Sequence, residues 1–339
     1  MYSQRYQPVF LYYTVMVKEG QHTISEDKNY FYRAMNNNIN CLVICGPTAS
    51  GKTALAIKLA RKLNGEILSV DSRQVYRGMD IGTGKDLQEY STGSPVVPYH
   101  LIDIADPKTI YTLYDFQKEF YRVFNAVLAS SKLPIAAGGS GLYLEAVLKG
   151  YEISPVPENV ELRKELMKES RETLEGMLKC ESLARYSKTD LSTKKRIVRA
   201  LEIARSGLLP EVKQEKTPSI KPIIFYVVWE RSVLRERISR RLDERLQQGM
   251  IEEVESLLKS GIPDERFSLF GMEYKHVARY IKNQVSHDQM VNDLRQDIFH
   301  LAKRQDTWFR GMERRGFTVH KIENADFNQA WEALAKLET

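Results

Sequence analysis

The chain has 339 residues, 42% of them hydrophobic, which suffices for the core of one large or two ordinary domains. Lys and Arg number 50 against 44 Asp and Glu, and this mild positive excess suggests a phosphate-rich partner. The three cysteines fit neither a disulfide framework nor a metal spacing, and no apolar run reaches membrane-spanning length or ends in a secretory cleavage site. We therefore predict a cytoplasmic protein without membrane contact, and we expect a monomer.

Residues 1–35 carry no periodic pattern and are expected to form an extension, with the compact domain beginning near Met35. The apolar run Cys41–Cys45 then predicts a buried strand, and a helical apolar pattern begins at Thr53. Between them, residues 46–53 read Gly-Pro-Thr-Ala-Ser-Gly-Lys-Thr, the phosphate-loop pattern. Backbone amides and the positive end of a helix dipole would surround one anion there. The alternative is a tight turn with a surface lysine.

Two further strand-like runs precede carboxylates. The run 66–70 ends at Asp71, on the edge where open α/β sheets bind ligands, although Asp71 could equally cap a short following helix. The run 99–104 contains Asp103, which could imitate a magnesium-orienting aspartate. His100 in the same run is expected to be a satisfied histidine, because no Cys or His stands at ligand spacing.

A helix is predicted from Thr112 to Ser131, opened by a capping box of Thr112 and Asp115. The next strand, 133–137, runs into a second glycine-rich turn, Gly138–Tyr143, where backbone can approach a ligand closely. Strands that alternate with helices in this way predict a parallel, three-layer α/β core.

Residues from about Glu158 to Ala204 read as a helical insertion, and a strand signal returns at 222–229. The arginine-rich helix 231–245 is either a solvated charged face or a phosphate-recognition surface. In the last long helix, roughly Asp288 to Arg314, Lys303, Arg310 and Arg314 are expected near one face as a phosphate-backbone stripe.

These motifs stand in an order that is far more specific than the phosphate loop alone. They resemble the tRNA dimethylallyltransferase family over about residues 41–321. The segments that carry the resemblance are 46–53, Asp71–Lys85, Gly138–Tyr143, Arg196–Glu202, Arg241–Val254 and Ala302–Arg310.

The resemblance implies transfer of a dimethylallyl group from dimethylallyl diphosphate to the exocyclic N6 amine of the adenosine 3′-adjacent to the tRNA anticodon. Asp71 matches the family's catalytic aspartate, which accepts the proton of the amine. Lys52, Thr53 and Arg241 would act with Mg²⁺, held by Thr53, on the leaving diphosphate. The implied diphosphate-binding residues are Gly46, Pro47, Thr48, Ala49, Ser50, Gly51, Lys52 and Thr53.

The same resemblance implies an anticodon stem-loop contact through two basic segments and the two turns. The implied tRNA-binding residues are Asp71, Ser72, Arg73, Gln74, Ser140, Lys195, Arg196, Ile197, Val198, Arg199, Lys303 and Arg310.

The predicted fold class is an α/β, phosphate-loop-containing, three-layer parallel sheet core with a helical insertion domain and C-terminal helices. A small-molecule kinase would share the loop but would need an acceptor lid, and a nucleotide-gated RNA-binding protein would not need Asp71. The predicted segments are an extension 1–35, first core part 36–150, tRNA-contacting insertion 151–205, return to the core with basic helices 206–325 and a tail helix 326–339.

Overall fold

The computed structural model describes residues 39–207 and 217–336, and the predicted extension 1–35 lies outside them. Within the described residues the strands are β1 (Cys41–Cys45), β2 (Gly65–Ser69), β3 (Tyr99–His100), β4 (Leu133–Gly138), β5 (Pro222–Val228) and β6 (Val319–Glu323). The helices are α1 (Lys52–Leu63), α2 (Gln88–Ser91), α3 (Leu113–Ala129), α4 (Gly141–Lys149), α5 (Val160–Leu166), α6 (Arg171–Glu181), α7 (Leu183–Lys188), α8 (Lys194–Arg205), α9 (Arg231–Gln247), α10 (Met250–Lys259), α11 (Asp264–Phe270), α12 (Met272–Ile281), α13 (His287–Arg310) and α14 (Phe327–Ala335).

The six strands form one sheet in the order β3-β2-β4-β1-β5-β6, and every neighbouring pair is parallel. Parallel strands need crossover connections, which explains the helices between them. Because all strands run the same way, the loops that follow β1, β2 and β4 meet at one edge of the sheet.

Alternate residues of the buried strands face two separate hydrophobic cores. In β1, Val43 packs in one core with α3, α9 and α13, whereas Ile44 packs in the other with α1 and α14. Near-continuous apolar strands are typical of sheets covered on both faces. The predicted three-layer parallel α/β architecture with a phosphate-loop-type sheet is therefore confirmed.

The predicted elements of the core agree with the structure except at three places. The strand predicted over 99–104 ends at His100, because Leu101 and Asp103 take left-handed backbone angles (φ 66° and 56°) that end an extended run. The last long helix ends at Arg310, and Arg314 lies in the separate 3₁₀ turn Glu313–Arg315, so the predicted single helix to Arg314 is wrong. The edge strand β6 had no predicted counterpart.

The predicted capping box is confirmed, and the structure shows a further cap that was not predicted. Thr112 accepts a hydrogen bond from the Asp115 amide, and the Asp115 carboxylate accepts one from the Thr112 amide, which is the reciprocal capping box at the start of α3. At the other end of the chain, Asp326 caps α14 through the amide of Gln329, near the start of the predicted tail helix.

The insertion is a small bundle of α5 to α8 with a hydrophobic core of its own, which contains Leu174, Leu178 and Leu201. At its base the buried Glu202 carboxylate accepts hydrogen bonds from Arg163 (2.8 and 3.0 Å), Arg199 and the amide of Asn159 (2.6 Å). Burial alone would raise the pKa of Glu202, but these donors outweigh it and hold that pKa below its ordinary value.

We expect Glu202→Gln to lower the local unfolding free energy of the insertion by roughly 3 kcal/mol, since it removes the buried carboxylate that pairs with Arg199 and leaves Arg163 with the exposed Glu158. Because the folded-state pKa of Glu202 is depressed, its stabilisation is present above the unfolded-state pKa and is lost as the pH falls through the folded-state pKa. Hydrogen exchange of the amides of α5 to α8, measured over an acidic pH series, checks both points.

Glu175→Gln is the matched control in the same bundle, because among the described residues Glu175 pairs with the half-exposed Arg171 alone, one helical turn away. That change should cost less than about 1 kcal/mol. Equal exchange rates in the two variants would contradict the role of Glu202.

Candidate active site

The phosphate loop joins β1 to α1 with a backbone that only a few residue types adopt easily. Ala49 and Gly51 both have left-handed angles (φ 59° and 82°), and Gly51 precedes α1 without a side-chain cap. The first amides of a helix are unsatisfied unless a cap or a ligand accepts from them. The N-terminus of α1, which is the positive end of the helix dipole, is thus arranged to bind an anion.

Two neighbouring side chains hold the loop in shape, one directly after β5 and one from α9. The Trp229 indole donates to the Ser50 carbonyl (2.8 Å), and Arg237 donates through Nε to the Ala49 carbonyl (2.9 Å). The Arg237 guanidinium also stacks over the Trp229 ring, 4.2 Å from its centroid. These contacts satisfy loop carbonyls and leave the amide side of the loop for a ligand.

Cations converge on this loop. Lys52 folds back to donate to the Pro47 carbonyl (3.1 Å), and Arg241 from α9 pairs with Asp86 (2.6 Å). Burial, together with the charges of Arg241 and Arg245, lowers the pKa of Lys52 to about 8, although Asp71 acts in the opposite direction. Mutual repulsion of this kind is relieved when a polyanion binds among the cations.

A side-chain amide of α13 ties the phosphate loop to the second glycine-rich turn. Gln305 accepts from the Thr48 amide through Oε1 (2.8 Å) and donates from Nε2 to the Gly139 carbonyl (2.9 Å). A Cβ on Gly139 would lie 2.5 Å from that nitrogen, so the bridge requires glycine at this position. The turns that follow β1 and β4 are therefore held in fixed positions by one residue.

Asp71 lies beyond β2, on the other side of the β4 turn. Its Oδ1 accepts from the amides of Arg73 (2.9 Å) and Gln74 (3.4 Å), which orients the carboxylate. Residues 72–75 form a turn and not a helix, so Asp71 is not the N-cap of a short helix. It caps a turn through one oxygen and at the same time borders a cavity.

We call residues 71–85 the aspartate loop. Three sets of side-chain contacts hold this loop in place, made by Gln74, Lys85 and Glu253. Gln74 bridges Ser69 Oγ (2.9 Å) and the Gly84 carbonyl (3.0 Å). Lys85, whose side chain is only 1% exposed, binds Asp80 (2.6 Å), Asp103 and the Tyr76 carbonyl.

The third set of contacts is made by the Glu253 carboxylate of α10, which accepts hydrogen bonds from the backbone amides of residues 80, 81 and 82 at 2.7 to 3.0 Å. It also accepts from the Tyr274 hydroxyl (2.7 Å). Asp103 pairs with the buried Lys85, so it has a structural partner in the aspartate loop, and the structure does not support its interpretation as a magnesium-orienting group. His100 pairs with Glu66 (2.7 Å), as expected for a satisfied histidine.

A cavity of about 320 Å³ separates Asp71 from α13. The Ser140 hydroxyl on its wall accepts from the Ser72 amide (3.1 Å), and the Trp308 indole packs against Gly141. Further lining residues are Arg73, Leu142, Tyr143, Leu301, Arg304 and Gln305. The volume lies at the low end of the range for small-molecule sites, and aromatic walls with few polar groups are typical of such sites.

A second, more open recess of about 630 Å³ begins on the far side of Trp308. Besides His300, its rim carries four basic side chains from the end of α13 and the following 3₁₀ turn: Lys303, Arg304, Arg314 and Arg315. Arg310 points elsewhere on the exposed surface and pairs with Asp306 (2.7 Å). Thus Lys303 and Arg314 border one recess, as expected, whereas Arg310 does not border it.

The predicted contact segment 195–199 is only partly accessible. Ile197 is fully buried and Val198 is 2% exposed in the core of the insertion, so their prediction as tRNA-contacting side chains is wrong. They lie on the inner face of α8 because the apolar residues of an amphipathic helix face the bundle. Lys195 and Arg196 are exposed, and Arg199 is largely occupied with Glu202 and the Val156 carbonyl.

The remaining predicted residues fall into two groups. Lys52, Thr53 and the loop residues gather at the end of β1 with Arg241, while Asp71, Ser72, Arg73 and Ser140 border the cavity. Arg73 is also paired with Glu273 (3.0 Å), and Gln74 is turned inward within the aspartate loop.

The sequence did not indicate roles for Gln305 and Glu253. Gln305 lies within the recognised segment Ala302–Arg310, but an amide that spans 257 residues of sequence to reach Thr48 leaves no local pattern. Glu253 lies within the segment Arg241–Val254, and its three amide partners are also distant in sequence. Arg237 and Arg245 belong to the arginine-rich helix, for which phosphate recognition was one of two interpretations, and with Arg241 they share one face of α9.

Thr53 is the residue that could hold Mg²⁺ here. It is the second residue of α1, and its half-buried hydroxyl has no hydrogen-bond partner among the described residues. Mg²⁺ is usually bound through one or two protein oxygens plus phosphates of the substrate. One free hydroxyl at the mouth of an anion site fits that pattern.

Known proteins match this chain over most of its length. The family model described as IPP transferase matches residues 74–312, more than half of the chain, and the isopentenyl transferase model matches residues 39–94. The protein called tRNA dimethylallyltransferase 1 of Geotalea uraniireducens (strain Rf4) is 50% identical over 286 residues, which cover 84% of this chain and 92% of the relative.

Solved structures show the same relationship. The full-length tRNA isopentenylpyrophosphate transferase from Bacillus halodurans is similar with a TM-score of 0.62 and 31% identity, over 88% of this chain and 94% of that one. A structure described as a eukaryotic dimethylallyltransferase acting on tRNA has a TM-score of 0.69 at 22% identity, covers 88% of this chain and 77% of its own, and shares the fold. On the family match and the 50% identity, this chain belongs to the tRNA dimethylallyltransferase family.

Proposed function

We propose that the protein transfers the dimethylallyl group of dimethylallyl diphosphate to the N6 amine of the adenosine 3′-adjacent to the anticodon of tRNA. The observation that carries this proposal is the joining of an anion-binding loop to a carboxylate-lined cavity by Gln305. The donor has a charged leaving group, which needs an anion-binding site. The acceptor is neutral and flat, and it needs an adjacent cavity with a carboxylate. The cytoplasm is the compartment in which we expect the reaction.

The donor would place its diphosphate on the loop 46–53, near Lys52 and Arg241. When the carbon–oxygen bond of the donor breaks, both bonding electrons leave with the diphosphate oxygen. The amides at the start of α1 and the two cations oppose the charge that develops there, and such fixed dipoles and charges need little reorganisation. Phosphorus–oxygen bonds stay intact throughout.

Magnesium would be held by the Thr53 hydroxyl together with oxygens of the diphosphate, and it supplies further neutralisation of the leaving group. The protein's own contribution is the position of the diphosphate. Trp229 and Arg237 keep the loop rigid from behind, which supports a site whose dipoles are already oriented before the substrate arrives.

The acceptor adenine would enter the cavity between Asp71 and Trp308. Its exocyclic nitrogen attacks the allylic carbon, and the nitrogen–carbon bond forms as the carbon–oxygen bond breaks. The proton that the nitrogen must lose goes to the Asp71 carboxylate and then to solvent. Because Oδ1 is already held by two backbone amides, Oδ2 is the oxygen available for this proton.

An adenosine in an anticodon loop reaches such a cavity only if it leaves the base stack. The indole of Trp308 and the Tyr143 ring on the cavity wall provide surfaces that compensate part of the lost stacking. With the adenine in the cavity, we expect the backbone phosphates next to that adenosine to bind in the basic recess beyond Trp308. Arg304 borders both spaces and is suited to the phosphate between them.

Replacing Asp71 separates its two roles. Asp71→Asn keeps an oxygen that can cap the Arg73 and Gln74 amides but removes the proton acceptor, whereas Asp71→Ala removes both. We expect the single-turnover rate of prenylation to fall roughly a hundredfold to ten-thousandfold in both variants, with tRNA affinity nearly unchanged. The measurement is nucleoside mass spectrometry of unmodified tRNA after incubation with dimethylallyl diphosphate and Mg²⁺.

If Asp71 served only as a turn cap, Asp71→Asn would retain nearly the wild-type rate while Asp71→Ala lost it. That pattern would remove Asp71 from the chemistry. A wild-type protein that left tRNA unmodified under the same conditions would overturn the proposed function itself.

The basic recess makes a separate prediction about salt. Lys303→Gln/Arg304→Gln should flatten the slope of log affinity for tRNA against log salt by on the order of one unit, because each lost phosphate contact removes released counterions. Filter binding over a potassium chloride series measures this slope.

Lys58→Gln/Lys118→Gln is the matched control, since both lysines are exposed on α1 and α3 and border neither cavity. The control pair should leave the slope at the wild-type value. Equal flattening in both double variants would show that general charge, and not the recess, binds tRNA.

A further inference from the structure

The indole of Trp308 forms part of the wall between the cavity beside Asp71 and the basic recess, since it borders both spaces. Its one polar atom, Nε1, is buried and has no hydrogen-bond partner among the described residues. A buried tryptophan N–H usually finds an acceptor, which then helps to fix the plane of the ring. The orientation of this indole depends instead on the groups that pack against it.

Two groups pack against the ring, and one of them is charged. A Cβ on Gly141 would lie 2.3 Å from the Cδ1 atom of Trp308, so the indole lies against the backbone at the start of α4. The Arg315 guanidinium lies over the ring, 4.9 Å from its centroid, and Nη2 of Arg315 donates to the Trp308 carbonyl (2.8 Å). Arg315 lines the recess but not the cavity, so it covers the indole from the recess side.

A buried carboxylate holds Arg315 in this position. The side chain of Glu145 is 2% exposed, and it accepts from Arg315 Nε (2.8 Å) and from the Tyr151 hydroxyl (2.7 Å). A Cβ on Gly311 would lie 2.6 Å from Arg315 Nη1, so backbone confines the guanidinium as well. Moving Arg315 would take from Glu145 the nearer of its two cations, the other being Lys149 at 3.7 Å. A buried carboxylate that loses such a partner is strongly destabilising, which restricts Arg315 to this position.

The two supports of the indole come from one face of one helix. Gly141 and Glu145 lie four residues apart on α4, so Gly141 contacts the ring directly and Glu145 acts on it through Arg315. The same helix follows Ser140, whose hydroxyl accepts from the Ser72 amide on the opposite side of the cavity. The indole and the Asp71 side of the cavity are thus fixed to a common element.

We propose that Arg315 is a positioning residue for the acceptor adenine: held by Glu145, it keeps the Trp308 indole in the plane on which the base stacks. This inference rests on the proposed function, which puts the adenine in the cavity beside Trp308. A wall that is oriented before the RNA arrives loses little side-chain freedom on binding, so more of the stacking contributes to affinity. Arg315 acts on the base through Trp308, and its role differs from that of the phosphate-binding side chains at the recess.

Two RNAs separate contact with the base from contact with phosphate. One is an unmodified anticodon stem-loop with adenosine 3′-adjacent to the anticodon, and the other lacks only the base at that position. The wild-type protein should bind the first more tightly by roughly fivefold to a hundredfold, the range for one base stacked on an aromatic side chain. Filter binding without a prenyl donor measures both affinities. Their ratio reports the base, because a phosphate contact contributes equally to both RNAs.

Glu145→Gln presents an amide where Arg315 Nε–H needs a charged acceptor, while the Arg315 charge stays at the recess. We expect it to lower the affinity ratio by about threefold or more, with the affinity for the RNA without the base within about twofold of wild type. Arg315→Lys keeps the charge without the planar group that covers the indole, and it should lower the ratio likewise. This second variant leaves the buried Glu145 in place, which guards against a loss of folding.

Arg314→Gln is the matched control, because Arg314 is exposed at the same recess and carries the same charge. It should weaken the binding of both RNAs and leave their ratio at the wild-type value. An unchanged ratio in both Glu145→Gln and Arg315→Lys would overturn the positioning role. So would an equal loss of affinity for both RNAs in those variants, since Arg315 would then be a phosphate contact. A wild-type protein that binds the two RNAs equally would instead refute the acceptor cavity of the proposed function.

Discussion

The amide of Gln305 joins the phosphate loop to the turn after β4, and the two halves of the site depend on that junction. The strand order places β4 between β1 and β2, so its turn lies between the phosphate loop and the Asp71 side. The ends of β2 and β4 come so close that a Cβ on Gly138 would lie 2.0 Å from the Val70 carbonyl oxygen. In the proposed function, this backbone and the Gln305 side chain would set the distance between leaving group and acceptor.

Electrostatics divides the site into two ends of different character. The loop end brings Lys52, Arg241 and Arg245 together, and burial and the mutual repulsion of these cations lower the pKa of Lys52 and Arg245. In the proposed function, the diphosphate would relieve this repulsion. The cavity end has Asp71, the aromatic rings of Tyr143 and Trp308, and two arginines, Arg73 and Arg304. The aspartate loop lies between the two ends, and its position is fixed by the Glu253 carboxylate and the buried Lys85.

The features that depend on short-range spacing along the chain could be predicted from the sequence. The phosphate loop, the capping box of α3 and the covered parallel strands follow from spacing and periodicity, and the structure has each of them. Predictions were wrong where side-chain direction or long-range contact decides. Val198 belongs to a basic segment but faces the bundle, and the strand after Tyr99 is cut short where Asp103 turns to meet Lys85. Gln305 and Glu253 could not be assigned because their partners lie far away in sequence.

The central claim is that the phosphate loop holds a leaving group and never transfers phosphorus. It is tested most directly with dimethylallyl diphosphate that carries heavy oxygen only at the bridge between carbon and phosphorus. After a single turnover on unmodified tRNA, mass spectrometry should find all the heavy oxygen in the released diphosphate and the dimethylallyl group on the adenosine 3′-adjacent to the anticodon. Heavy oxygen recovered in dimethylallyl alcohol with a phosphorylated product would contradict the claim.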